Sequence, residues 1–219
     1  MESCAGRWRR ALLLFAAAVA ALALAGCTSG DRPRTTQTRD VADFTRIDSR
    51  DSVDVRLHVG EPQRARVSAG EKVIDDVRTE VRDGTLRLTF DHDGFGSSDV
   101  VVAASVPDFT GIEASGSGDI DAYGIDADAF EVRSDDSADI ALEGAVGRLA
   151  VNLDGSGDAD LAGLAAREAR VAVGGSGGVD VRADERLEVE VDGSGDVRYH
   201  GDAALTQHID GSGELSRAG

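Results

Sequence analysis

Carboxylates recur down the second half of the chain in two columns, Asp119, Asp139, Asp158, Asp196 and Glu214, and Asp135, Asp154, Asp192 and Asp210. Stacked at the strand spacing of about 4.8 Å, neighbouring carboxylates repel by about 0.9 kcal/mol even in water. Two chemistries would relieve that repulsion: bound Ca²⁺, with Asp119, Asp139, Asp158 and Asp196 as ligands, or hydrogen bonds from backbone N–H groups. The spacing favours the second. Gly174-Gly175-Ser176-Gly177 starts like a calcium-roll repeat, but Gly178 and Val179 follow and Asp180 comes one residue late. Asp91-His92-Asp93-Gly94-Phe95-Gly96 starts like an EF-hand loop but places Phe95 where an oxygen ligand is required. The expectation is carboxylates that cap their own turns, with no cofactor.

Other reactive groups are sparse. A serine occurs in every repeat, at Ser117, Ser137, Ser156, Ser176, Ser194 and Ser212, with no base at a fixed offset, which predicts hydroxyls bonded to turn backbone and not nucleophiles. His58, His92, His200 and His208 lack metal-ligand spacing, and Lys72 is the only lysine. The expectation is a protein that is not an enzyme.

These residues sit in a repeat. Gly116-Ser117-Gly118-Asp119, Gly155-Ser156-Gly157-Asp158 and Gly193-Ser194-Gly195-Asp196 have degenerate copies at Asp136–Asp139, Gly175-Ser176-Gly177-Gly178 and Gly211-Ser212-Gly213-Glu214, with first residues 20, 19, 20, 18 and 18 apart. That period is too short for a helix pair or a propeller blade and suits one coil of a β-solenoid. Apolar residues alternate around each tetrad, as at Leu187, Val189, Val191 and then Val197, Tyr199, which is strand periodicity. The tetrad glycines predict corners with positive φ or close backbone approach. Near-constant coil length leaves no insertion to wall a substrate cleft.

Upstream the pattern stays β-like. Val53 to Val59 alternate up to Gly60-Glu61-Pro62, Ala65 and Val67 continue, Asp83-Gly84 precedes Leu86, Leu88 and Phe90, and Val100 to Val106 end at Pro107. Val73, Ile74, Val77 and Val81 fit a helical turn or a strand equally well.

The N-terminus points to export. Arg7, Arg9 and Arg10 precede an apolar run from Ala11 to Ala25, too short for a convincing membrane span. The run ends at Leu24-Ala25-Gly26-Cys27, which resembles the bacterial lipobox; that implies cleavage before Cys27 and its acylation. The expected organisation is a signal peptide at 1–26, a lipidated cysteine and flexible tether at 27–43, and one domain at 44–217. The chain carries 23 basic and 41 acidic residues, net −18, and loss of Glu2, Arg7, Arg9 and Arg10 leaves −20. Such a charge disfavours nucleic acid and anionic headgroups, so lipid and not a basic patch is expected to hold the protein on its membrane.

Phe44, Ile47, Val53-Asp54-Val55, Asp83-Gly84-Thr85-Leu86, Val106-Pro107, Thr110-Gly111-Ile112 and the tetrads together resemble the autotransporter-adhesin head GIN domain family over residues 44 to 215. The resemblance implies an all-β, parallel, mostly right-handed β-helix in an exported protein, and it implies no catalytic residues. No stalk or C-terminal membrane barrel is expected with it. The resulting expectation is a cell-envelope lipoprotein, anchored outside the cytoplasm, that binds an envelope protein or polysaccharide or serves a structural role. A polysaccharide-active β-helix lyase or hydrolase is the competing class.

Overall fold

The computed structural model describes residues 34–91 and 100–218. The expected signal peptide, the expected lipidation site Cys27, His92 and most of the EF-hand-like stretch lie outside these residues. Fifteen strands form one sheet: β1 Arg34–Arg39, β2 Arg46–Asp51, β3 Val53–Val59, β4 Arg64–Gly70, β5 Val77–Arg82, β6 Thr85–Phe90, β7 Val100–Val106 and β8 Gly111–Gly116. The longer β9 Ile120–Ser134, β10 Ile140–Leu153, β11 Ala159–Val173 and β12 Val179–Val191 follow, then β13 Val197–His200, β14 Ala204–Ile209 and β15 Leu215–Arg217. Parallel stacking winds them into a β-solenoid of about five turns.

Each long strand is a nearly complete coil. The buried alternation of β9 runs Ile120, Ala122, then Ile125, then Phe130 and Val132; it resets after Gly124 and again after Asp128. β10 resets likewise, at Gly144 and Gly147. Each coil therefore presents three segments, and each stacks on its counterpart to form a face: Ile120/Ile140/Ala159/Val179 begin the first and Phe130/Leu149/Ala169/Leu187 lie on the third. Inward residues fill one continuous core, with Leu57, Leu142, Leu161, Val181 and Leu187 at 1% exposure or less. Burial of each such side chain is worth about 1.5–3 kcal/mol, which lets this fold do without disulfides.

The order of coils in space is not their order in sequence. The β2–β3 coil lies between the β6–β7 coil and the β8–β9 coil: Ile47 pairs with both Leu86 and Ile112, and Val55 with both Val102 and Ile120. The N-terminal end is closed by antiparallel strands, β4 on β7, β1 on β4 and β5 on β6.

Two expectations change. Residues 34–39, assigned to the tether, form β1, in full register with β4 from Arg34–Gly70 to Arg39–Ala65. The free edge of β4 needs hydrogen-bond partners, and the polar strand Arg-Thr-Thr-Gln-Thr-Arg supplies them while facing solvent. The ambiguous stretch near Ile74 is both structures in turn: a 3-10 turn at Ile74–Asp76 buries Ile74, and β5 follows. Arg39 locks that turn, donating from Nη2 to the carbonyl oxygens of Ile74 at 2.9 Å and Val77 at 3.4 Å. The Asp83-Gly84 turn does join β5 to β6, with φ of 50° and 74°, the left-handed pair that a tight hairpin requires.

Candidate functional site

The tetrads form one corner of the solenoid, between the third and first faces. Their glycines are required by close approach and not by left-handed backbone. A Cβ on Gly116, Gly155, Gly175 or Gly193 would fall onto the carbonyl oxygen of Asp51, Asp136, Gly155 or Gly175 in the preceding coil. Gly118, Gly157, Gly177 and Gly195 meet Val53, Ala138, Gly157 and Gly177 in the same way, and Gly211 and Gly213 meet Gly193 and Gly195. Left-handed φ appears at a second corner, at Gly124 (80°), Gly144 (145°) and Gly201 (98°), whereas among the tetrad glycines only Gly211 has a positive φ, 159°, close to extended backbone.

The corner also contains a copy that the repeat period concealed. Asp51-Ser52-Val53-Asp54 stacks directly on Gly116–Asp119: Ser117 N–H donates to the Asp51 oxygen at 2.9 Å, the Ser52 and Ser117 hydroxyls lie 3.0 Å apart, and Asp119 N–H donates to Asp54 Oδ1 at 3.1 Å. It resembles Asp136-Ser137-Ala138-Asp139, but 65 residues of chain separate it from Gly116, so an 18-to-20-residue period does not find it.

Serine bonds the turn through its backbone N–H, and not through its hydroxyl as expected. Ser137, Ser156, Ser176, Ser194 and Ser212 donate their N–H groups to the carbonyls of Gly116, Asp136, Gly155, Gly175 and Gly193, at 2.8 to 3.1 Å. Their side chains are exposed.

The acid column has a related correction. Each carboxylate caps the next coil and not its own turn: Asp139 Oδ1 accepts from Asp158 N–H at 2.9 Å, Asp158 Oδ1 from Gly178 N–H at 2.7 Å, and Asp196 Oδ1 from Glu214 N–H at 2.8 Å. Gly178 breaks the column as an acid yet still serves as a donor. Burial, then the Asp54 and Asp139 carboxylates, push the Asp119 pKa above the ordinary aspartate value, against the N–H that it accepts from Asp139. Among the described residues no three His, Cys, Asp or Glu side chains cluster as metal ligands would.

The third face distributes charge differently. Arg170 pairs with Glu188 at 2.7 Å and Glu190 at 3.4 Å, and Arg186 pairs with Glu168 at 3.3 Å. Arg46 reaches over Gly111 to Glu131 at 3.0 Å, and a Cβ on Gly111 would lie 2.8 Å from its guanidinium. Arg133 holds the other oxygen of Glu131. Burial alone would raise the Glu131 pKa, but Arg46 and Arg133 outweigh it and hold the carboxyl below the usual glutamate range. Asp48, 2% exposed, bridges Arg50 at 3.0 Å and Arg87 at 2.9 Å.

Between these rungs the small side chains of Ala129 and Ala150 floor an open depression of about 650 Å³, rimmed by Arg46, Arg148, Arg170 and Arg186 with Glu131, Glu168 and Glu188. Each of these acids is bonded to an arginine. Arg148 is exposed and has no such partner among the described residues. The arrangement offers aligned donors and neutralised acceptors over an apolar floor, and suits recognition of a polar surface or polymer.

The described histidines, His58, His200 and His208, are dispersed. His58 stacks on Tyr123 with ring centroids 5.6 Å apart. His200 Nε2 lies 2.8 Å from Asp180 Oδ1, though neither buried atom is aligned for a hydrogen bond. His208 is exposed on β14, opposite Glu190. Among the described residues no helix is long and apolar enough to cross a membrane.

No curated protein sequence matches the chain. The fold is similar to the crystal structure of a "putative adhesin" from Bacteroides fragilis, with TM-score 0.67 and 19% identity over 86% of this chain and 98% of that one. It is also similar to a "putative adhesin" from Parabacteroides merdae, with TM-score 0.53 and 17% identity over 85% and 96%. The family model described as "Putative auto-transporter adhesin, head GIN domain" matches residues 43–203, so the chain belongs to that family.

Proposed function

We propose that the protein is an exported lipoprotein of the cell envelope that acts as a non-catalytic binding module, acylated at Cys27, with the third-face depression as its ligand surface. The observation that carries this reading is the depression itself: open, shallow, floored by Ala129 and Ala150, and lined by arginines and glutamates that neutralise one another around an unpaired Arg148. Mutually bonded carboxylates are poor proton donors and acceptors, whereas preorganised guanidinium groups hold polar ligands well. Membership in an adhesin-named family supports binding, and the sequence Leu24-Ala25-Gly26-Cys27 supports the anchor.

The test compares native-envelope pull-downs with the wild type and with Arg148→Ala/Arg170→Ala at equal folded amounts. The double variant should lose the co-purifying envelope component, and equal recovery would remove the third face as the ligand surface. New reducing ends or unsaturated uronates from envelope polysaccharide incubated with the wild type would overturn the non-catalytic reading. Cys27→Ser should move the protein from the detergent to the aqueous phase; a wild type already in the aqueous phase would end the lipoprotein reading.

A further inference from the structure

We propose that the N-terminal end of the first face rests on the anionic headgroups of the membrane and tilts the solenoid, so that its acidic coils project away. This inference rests on the acylation of Cys27 and adds an orientation to it. Because β1 starts at Arg34, only six residues separate the strand from Cys27, a reach of about 25 Å at full extension. The first face stacks ten strands from β1 to β15, about 43 Å at the usual strand spacing. The N-terminal end is therefore held near the bilayer, and the C-terminal coils can stand well beyond the screening length of about 8 Å.

Charge is divided along the same axis. Residues 34–99 carry 11 basic and 14 acidic side chains, a net of −3; residues 100–218 carry 8 and 25, a net of −17. An anionic surface repels the second group far more than the first.

Within the first group, strand register gathers cations on one side. Arg66 lies beside Ala103 and Ala103 beside Arg56; one step along, Arg64 lies beside Ser105, then His58 and Tyr123. Arg64 and Arg66 are exposed, and among the described residues they make no side-chain hydrogen bond or ion pair. Arg56, 67% exposed, approaches Asp121 only to 4.0 Å. Ala103 between the arginines leaves them open to a flat surface. Tyr123, 36% exposed and stacked on His58, supplies the amphipathic ring that suits a headgroup layer. Asp54 and Asp121 share this face, so the cationic excess is small and sets orientation while the acyl chains supply affinity.

The experiment uses the acylated protein in vesicles of phosphatidylcholine alone or mixed with phosphatidylglycerol. A fluorophore is placed through Ala103→Cys on the first face or Glu113→Cys on the third, and quenching by headgroup-level probes is compared. Detergent partitioning of the wild type first establishes the anchor; an aqueous wild type would overturn anchor and orientation together. With the anchor in place, quenching should be strong at position 103 and weak at 113 in phosphatidylglycerol vesicles, and the contrast should fade in phosphatidylcholine or high salt. Each neutralised arginine should shift the resting-to-lifted ratio about fivefold, so Arg64→Gln/Arg66→Gln should shift it about 25-fold. Equal quenching at 103 and 113 in phosphatidylglycerol vesicles, with the anchor intact, would overturn the orientation alone.

Discussion

The acid corner and the third face stack charged side chains at the same coil spacing, yet they solve the resulting electrostatics in opposite ways. At the corner every acid of the column carries the same sign, with Gly178 the one neutral rung, and the carboxylates from Asp54 to Asp196 are each satisfied by an N–H of the next coil, as Asp158 is by Gly178. On the third face signs alternate, and Arg186, Glu168, Arg170 and Glu188 satisfy one another. The corner acids are thereby committed to holding coils together, and the third-face charges remain presented to solvent as a pattern. A column of charge marks architecture in one place and a recognition surface in the other; what distinguishes them is whether backbone or side chain supplies the partner.

The harshest test of this contrast is steric. Gly155→Val should destabilise by about 3–5 kcal/mol, read from denaturant midpoints, because its Cβ has nowhere to go except into the Asp136 carbonyl. Ala138→Gly in the adjoining coil should shift stability by less than about 1 kcal/mol. Equal tolerance at both positions would mean that the corner is not closely stacked.

Next in size, Asp48→Ala should cost about 1–3 kcal/mol, since it strips the buried partner from Arg50 and Arg87, which are themselves partly solvated. A neutral Asp48→Ala would show that third-face pairing contributes nothing to folding. At the corner, Asp158→Ala should cost about 0.5–1.5 kcal/mol by leaving Gly178 N–H without its acceptor. If the carboxylates serve only backbone, Ca²⁺ should raise the melting temperature no more than NaCl at matched ionic strength. A saturable calcium shift, lost in Asp158→Asn or Asp196→Asn, would instead make the corner a cation site.

The smallest expected effect is in pH, where the two regions should differ in sign. Asp119 binds its proton more readily folded than unfolded, so mild acidification into the range just above the ordinary aspartate pKa should add stability. Glu131 is held below its ordinary value, so its contribution is present above the unfolded glutamate pKa and is lost as pH falls through the lower folded value. Asp119→Asn should remove the gain and Glu131→Gln the loss; a stability profile unchanged by either variant would contradict both assignments.

Much of this site can be read from the chain once the coil is known. Arg170 and Glu188 lie 18 residues apart, as do Glu168 and Arg186, one coil period each, so the alternating ladder is present in the sequence but is lost when charge is only summed. Asp51-Ser52-Val53-Asp54 has the tetrad pattern but falls outside the period. β1 leaves no signal in the sequence because Thr and Gln pair along an edge without apolar alternation.

The amino-acid sequence by itself determined the coil: its length, its corners and its inward residues, because alternation and tight turns are local properties of backbone sterics and burial. It also determined the hairpin at Asp83-Gly84. Only the tertiary structure decided which coils touch, placing β2–β3 between β6–β7 and β8–β9, because any apolar strand edge can pair with any other and the choice is made by the whole stack. The same stacking moved the carboxylates' partners from their own turns to the next coil, and inserted β7 between β3 and β4, so that Ala103 lies between Arg56 and Arg66 although it is distant from both along the chain.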